Sequence, residues 1–237
     1  ILMCFDECPP PRERERVEAA VRRTTAWARR CRAAHPDDGR QALFGVVQGG
    51  VYGDLREQSA RALQDIGFAG YALGGLSVGE SRADMLEALA LSAPLLPADR
   101  PRYLMGVGEP DDLVEGVWQG IDLFDCVIPT RLARHGAALT PTGRVNVGRL
   151  DFARDEGPLV AGCTCPACSA YSRAYLRHLV KAREMLAHML LSLHNIHFLV
   201  GLMTAMREAI LAGALPAWRE AFHRRWSRPG RGAGPQS

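Results

Sequence analysis

The 237-residue chain reads as an α/β protein, a run of the parallel strand–helix units from which an eight-stranded (β/α)8 barrel is wound. Three observations predict this. Short apolar runs alternate with amphipathic stretches four times in succession. The C-terminal ends of those runs carry Asp, Gln and paired Gly, where a parallel α/β fold keeps its active residues. No Gly-x-Gly-x-x-Gly follows the first run, which weighs against an open dinucleotide-binding sheet. Five strands suit either architecture by number, and the missing fingerprint favours the barrel.

The expected strands are Ile1 to Phe5, Ala42 to Gln48, Gly70 to Leu73, Arg102 to Val107 and Leu123 to Ile128. Helices are expected between them at about 13–31, 53–66, 82–93 and 110–120. The last opens on Glu109-Pro110-Asp111-Asp112, a proline and acidic residues in a first turn. Pro129 to Gly148 is rich in Arg, Gly, Thr and Pro and reads as an active-site loop with a small hairpin. Helical stretches follow at about Ser169 to Leu193, Asn195 to Ala212 and Pro216 to Trp226, and the tail Arg228 to Ser237 reads as disordered. The domain reading is a barrel portion over 1–147, a metal-binding subdomain over 148–200 and closing helices with the tail over 201–237. The chain begins inside an apolar strand with no initiator methionine, so it reads as a piece of something longer.

Composition is that of an ordinary globular enzyme, 47% hydrophobic and 23% charged. A net charge of +3 does not imply a general polyanion-binding surface. Lys181 is the single lysine, every other cationic side chain being arginine; phosphate or base contacts give that bias, and so does a GC-rich genome. No apolar stretch is read as approaching the ~20 residues of a membrane span, and no secretory leader is seen. Seven cysteines, an odd number, point to a reducing compartment, the cytoplasm, rather than a disulfide framework.

Three of those cysteines lie within six residues, Cys163-Thr164-Cys165-Pro166-Ala167-Cys168, and His194 follows on a predicted helix. Three thiolates and an imidazole fill one tetrahedral shell, so Cys163, Cys165, Cys168 and His194 are expected to hold a structural Zn2+. A shell with no open position for water argues against a zinc hydrolase. The remaining chemistry sits at strand ends. They present Asp6-Glu7-Cys8, Gln48-Gly49-Gly50, Leu73-Gly74-Gly75-Leu76, Met105-Gly106-Val107-Gly108 and Asp125-Cys126. Glycine pairs let backbone amides and carbonyls approach a flat ligand, and a carboxylate beside a carboxamide can read the edge of a heterocycle. Asp6 and Asp125 are the candidate base, nucleophile or anchor, with Asp122 a rival that spacing alone leaves open.

At this point the residues resemble a known family. Phe5 to Cys8, Gly45 to Gly50, Gly70 to Glu80, Pro101 to Gly108, Gly120 to Arg131 and the Cys-x-Cys-x-x-Cys…His-Asn set are similar, in order and over residues 1 to 226, to bacterial queuine tRNA-ribosyltransferases (tRNA-guanine transglycosylases). The resemblance implies a zinc-containing (β/α)8 TIM barrel, acting as a homodimer. It would exchange the wobble guanine of certain tRNAs for 7-aminomethyl-7-deazaguanine in queuosine biosynthesis. It implies Asp125 as the nucleophile that attacks the ribose anomeric carbon to form a covalent enzyme–RNA intermediate. Asp6 would accept from the ring N–H and exocyclic amine of the base. Gln48 and the Gly75 amide would meet the base carbonyl, and the Leu76 carbonyl the aminomethyl group. Cys8 and Gly74 belong to the same site; Tyr103, Met105 and Gly106 form a wall of the slot. Arg131 and Arg134 would read uridines flanking the target in the anticodon loop. His135, His178, His188, His197 and His223 match no ligand or catalytic position.

Two departures are small: Pro9 stands where the family usually has threonine, and Cys4 replaces a small residue. A larger one is implied at the N-terminus, where the family's first strands, a second catalytic aspartate acting as general base and an aromatic residue that stacks on the base would lie. A barrel lacking about three strands exposes two sheet edges, so the 237 residues alone are expected to be poorly stable and inactive. The competing reading is a non-catalytic RNA-binding fragment or subunit-type paralogue with a structural zinc. It has no need of Asp125, Asp6 and Gln48, all of which are present.

Overall fold

The computed structural model describes residues 1–36 and 38–227; the expected tail at 228–237 lies outside the described residues. Two compact units partition the chain, Ile1–Gly108 with Asp112–Cys126, and Glu109–Asp111 with the residues from Val127 onward.

The first unit alternates β1 (Leu2–Met3), α1 (Arg14–Ala34), β2 (Leu43–Val47), α2 (Gly53–Ile66), β3 (Gly70–Leu73), α3 (Arg82–Ser92), β4 (Arg102–Leu104), α4 (Pro110–Trp118, whose first two residues group with the second unit) and β5 (Leu123–Phe124). All strand pairs are parallel and their order in the sheet is their order in the chain. A doubly wound sheet reverses its order at a switch point; unbroken sequential winding is that of a (β/α)8 barrel. Every residue of β2 is buried, as expected of a parallel strand covered on both faces. In the register, Phe44 faces Gly70, and its ring lies 2.3 Å from where a Gly70 Cβ would sit, so only glycine admits that ring. α1 turns Val17, Ala20, Val21, Thr24 and Ala28 inward, one face at helical spacing. α3 starts on a capping box between Ser81 and Asp84, satisfying amides that a first turn leaves open. Leu63, Leu73, Leu89 and Leu104 lie at the centre of the core, each 0% exposed.

The strands are shorter than their apolar runs. β4 ends at Leu104, and by Gly106 the backbone has turned to φ +72°. β5 ends at Phe124, and residues 128–134, read as the end of a strand and the start of a loop, form helix α5 (Ile128–Arg134). Pro129 in its first turn costs no hydrogen bond there, because that N–H has no helical acceptor.

In the second unit α5 is followed by a hairpin of β6 (Ala137–Thr140) and β7 (Gly143–Asn146), where a small hairpin was expected. Then come α6 (Pro166–Ala170), α7 (Arg173–Ala182), α8 (Met185–Leu211) and α9 (Leu215–Arg225). The stretch from 169 to 193 is therefore not one helix. Arg183, left-handed at φ +59°, caps α7 and Glu184 opens α8. α8 also corrects the reading that no apolar stretch nears membrane-spanning length, since its 27 residues are long and apolar enough by length and composition. Its middle nevertheless holds buried His194 and Asn195, and Leu190, Leu191 and Ala187 join the core with Leu176 and Leu179 of α7.

Candidate active site and metal centre

The ends of β2 to β5 and the segment after β1 bring most of the predicted site residues of the first unit together. Gln48, directly after β2, is 1% exposed; its Nε2 donates to Asp6 Oδ2 at 2.7 Å and its amide to Ser59 Oγ at 3.1 Å. A Cβ on Gly75 would lie 2.3 Å from Gln48 Oε1, and Gly75 also has φ +66°. Glycine is thus required there by both space and backbone. Gly74 and Leu76 are buried beside it, while Cys8 is exposed. Although the residue is exposed, partial desolvation of its thiol, then Asp6 and Glu80, push Cys8 above its ordinary value, against the pull of Arg56 and the Gly75 backbone.

Asp125 follows β5 and is exposed. Tyr103 donates its hydroxyl to Asp125 Oδ1 at 2.6 Å, and the Gly106 amide donates to the same oxygen at 2.8 Å. The left-handed turn at Gly106 aims that amide. Burial, reinforced by the bond to Asp125, pushes the Tyr103 phenol up to about 12, so it stays a donor near neutral pH. Met105 is half-buried beside this pair. The rival Asp122 instead accepts the Arg102 amide at 2.8 Å, at the opposite end of the strands from Asp125. Arg131 and Arg134 belong to the other unit, exposed on the last turn of α5 and not on a loop.

In the second unit Cys163, Cys165, Cys168 and His194 place their ligand atoms within 4.8 Å of one another. His194 Nδ1 lies 3.4 Å from the sulfurs of Cys165 and Cys168 and 3.9 Å from that of Cys163. Bonds of ~2.3 Å to sulfur and ~2.0 Å to nitrogen at tetrahedral angles place such atoms roughly 3.6 Å apart, so the donor set fits a tetrahedral cation. Burial pushes the Cys168 thiol up to about 12 and raises that of Cys165. Thiolates packed together this way need a cation to offset their charge. His194 Nε2 faces the Leu139 carbonyl at 2.8 Å; the carbonyl accepts, so the proton is on Nε2 and the Nδ1 lone pair points at the sulfurs. Burial lowers the His194 pKa, favouring the neutral ligand form. These four residues can hold a metal ion.

Three residues escaped the sequence reading. Arg56 of α2 is 0% exposed; its Nε donates to Gly50 O at 2.7 Å and its Nη2 to Gly74 O at 3.2 Å and Gly75 O at 3.4 Å. It ties the loops after β2 and β3 from beneath, and burial brings its pKa down to about 10. Glu80 accepts the amides of Ser77 and of Val78, the latter at 3.0 Å, closing the turn in which Ser77 has φ +61°. Asn195 is 0% exposed, donating to Pro129 O at 3.0 Å and Ala137 O at 3.1 Å and accepting from the Leu139 amide at 2.8 Å. A buried arginine inside an amphipathic helix looks in sequence like any solvated arginine, whereas Glu80 closes the matched stretch from Gly70 and Asn195 stands beside His194 in the matched set, so these two had a signal.

The family model for queuine tRNA-ribosyltransferase matches residues 1–228. Among curated relatives, the queuine tRNA-ribosyltransferase of Symbiobacterium thermophilum is 54% identical over 227 residues, 95% of this chain and 57% of its own length. That of Halothermothrix orenii is 53% identical and that of Pelotomaculum thermopropionicum 55%, each over 95% of this chain and 61% of the relative. The chain thus spans about three-fifths of the length of the relatives it matches. A matched family model, sequential parallel winding and a three-cysteine, one-histidine cluster agree: the chain belongs to the queuine tRNA-ribosyltransferase family.

Proposed function

We propose that this chain carries the base-exchange centre of a tRNA-guanine transglycosylase, with Asp125 as nucleophile and Zn2+ as the structural metal. The observation that carries the reading is the Asp125 carboxylate, whose Oδ1 is held by Tyr103 and the Gly106 amide. Both bonds orient one oxygen and leave Oδ2 to attack. An Oδ2–C1′ bond forms as the C1′–N9 bond of the target guanosine breaks. The bonding pair leaves with the purine, which takes a proton at N9. A 7-deazaguanine then attacks C1′ through its N9, loses that proton and displaces the carboxylate. Two inversions at one carbon return the original configuration. The nucleotide must be splayed out of its stack for this, because the glycosidic bond is otherwise hidden.

Asp6 and Gln48 read the base. Their mutual bond is exchanged for bonds to the ring N–H, amine and carbonyl of the base, with the Gly75 amide and Leu76 carbonyl completing the edge. Arg131 and Arg134 read the flanking uridines of the anticodon loop. The zinc, held by Cys163, Cys165, Cys168 and His194, supplies folding energy and no open coordination site. Homodimerisation is supported by Met185, Met189, Leu193, Ile196 and Val200, all exposed along one stripe of α8. A tRNA substrate implies a cytoplasmic protein.

The test is trapping. The protein extended to its relatives' length, incubated with a U-G-U hairpin RNA, should give a covalent adduct on denaturing gels and incorporate labelled guanine. Asp125→Asn should abolish both, and the 237 residues alone should not turn over. An adduct that survives Asp125→Asn would remove Asp125 from the nucleophile's role.

A further inference from the structure

Helix α2 carries a buried charge that its own packing does not call for. Arg56 is fully buried, and each of its hydrogen bonds goes to a backbone carbonyl. Its Nη1 has no hydrogen-bond partner among the described residues. Such a guanidinium is costly to bury, because neutral carbonyls offset only part of the hydration it has lost. The chain accepts a further constraint to keep it. A Cβ on Gly49 would lie 2.6 Å from Arg56 Cγ, so the side chain passes where only glycine leaves room.

What the guanidinium touches gives its use. Nη2 holds the carbonyl oxygens of Gly74 at 3.2 Å and Gly75 at 3.4 Å. In a planar trans peptide the C=O and the N–H point opposite ways. Holding the Gly74 carbonyl therefore turns the Gly75 amide away from α2, and holding the Gly75 carbonyl does the same to the Leu76 amide. The Gly75 amide so turned faces the Cys8 thiol, a contact that by itself favours the thiolate. Gln48 lies against the same glycine, its Oε1 2.3 Å from where a Gly75 Cβ would sit. Two glycines in succession bring no side chain to fix their own peptide planes, so the clamp has to come from elsewhere. Three residues along α2 and on the same face, the buried Ser59 accepts the Gln48 amide at 3.1 Å. One buried face of α2 thus anchors both groups that the base-exchange reading puts on the carbonyl of the base.

We propose that Arg56 is a positioning residue for base recognition, fixing the Gly74–Gly75 peptide plane so that the Gly75 amide is already aimed at the carbonyl oxygen of the purine. The role deepens the transglycosylase reading above and rests on it. A donor aimed in advance costs nothing to reorient when the base arrives. A loose Gly-Gly peptide would have to be ordered by the base itself, at the expense of affinity. With its pKa brought down only to about 10, Arg56 keeps its proton, and the clamp, at neutral pH.

The experiment uses the protein extended to its relatives' length and follows labelled guanine into a U-G-U hairpin RNA, with 6-thioguanine as the competing base. That analogue keeps the ring N–H and the amine but offers sulfur, a weaker acceptor, in place of the carbonyl oxygen. Arg56→Met should raise KM for guanine about tenfold, roughly one hydrogen bond's worth, while KM for the RNA stays within about twofold. The preference for guanine over 6-thioguanine should shrink by about threefold, because the amide that tells oxygen from sulfur is no longer aimed. A merely structural role would lower the folded fraction and with it kcat, and would move neither KM for guanine nor that preference. Arg56→Lys keeps a cation able to hold one carbonyl, so its KM should fall between the other two, and it takes over the test if Arg56→Met does not fold. An unchanged KM for guanine, an unchanged preference, or an equal rise in KM for the RNA would overturn the positioning role and leave the transglycosylase reading standing. A wild-type protein that incorporates no guanine would sink that reading and this role with it.

Discussion

Replacing Asn195 by alanine tests how the metal-bearing unit is held together. Its carboxamide makes three buried bonds, to the Pro129 and Ala137 carbonyls and from the Leu139 amide. Leu139 is the pivot, because its carbonyl accepts from His194 while its amide donates to Asn195. Two consecutive α8 side chains thus satisfy both backbone groups of one β6 residue. Truncation leaves the Leu139 amide and the Ala137 carbonyl without this partner in a dry setting, and removes one partner from the Pro129 carbonyl in the first turn of α5. At on the order of 1–3 kcal/mol for each buried group left unmade, with the carbonyls at the low end because each has a second lone pair, the loss should be about 4 kcal/mol. Urea unfolding measures it, followed by the emission of Trp218 and Trp226 with Trp27 and Trp118 replaced by phenylalanine. The stacked Trp218–Phe222–Trp226 series reports on this unit. Because Leu139 orients His194, zinc affinity measured against a chromogenic chelator should fall about tenfold, the lower end for an outer-shell partner. A stability loss under about 1 kcal/mol, or an unchanged zinc affinity, would refute the pivot.

Two further expectations concern other parts of the chain. Arg56→Met removes the guanidinium that three loop carbonyls share and leaves them unpaired in the interior; the expected cost is about 2–4 kcal/mol, read by urea unfolding, and a neutral result would make the guanidinium dispensable. Asp155 is held below the ordinary carboxylate range, first by Arg173 and then by the Gly157 amide. A depressed folded pKa contributes fully above about pH 4, the unfolded value, and is lost as pH falls through the folded one. Asp155→Asn should therefore melt below wild type at pH 7, with the gap closing as pH falls through the folded value; a gap independent of pH would rule out the charge.

The three-cysteine, one-histidine cluster and the grouping of strand-end residues were legible in the sequence, and the two cases differ in kind. Cys163, Cys165 and Cys168 are close in sequence, so any compact local fold gathers them, and His194 needed only a helix packed on that knuckle. Asp6, Gln48 and Gly75 were legible because a parallel β/α alternation puts all C-terminal strand ends on one rim. Strand lengths were not legible. The apolar runs 102–107 and 123–128 continue past the ladder, because apolar character marks burial and burial does not end where strand pairing ends. The left-handed turn at Gly106 and the helix that begins at Ile128 are what stop them.

By itself the sequence determined the class of fold, the three-cysteine, one-histidine cluster that could hold a metal, and which carboxylates stand at strand ends, since each is written in local spacing or in strand–helix periodicity. Tertiary structure decided which atoms those groups meet: that Tyr103 and Gly106 share one oxygen of Asp125, that Arg56 lies under two loops, and that His194 and Asn195 grip one strand residue. Apart from the Arg56 bond to Gly50, six positions away, these are bonds across 18 to 56 positions of chain. No local pattern encodes them, because they depend on how packed elements place side chains in three dimensions.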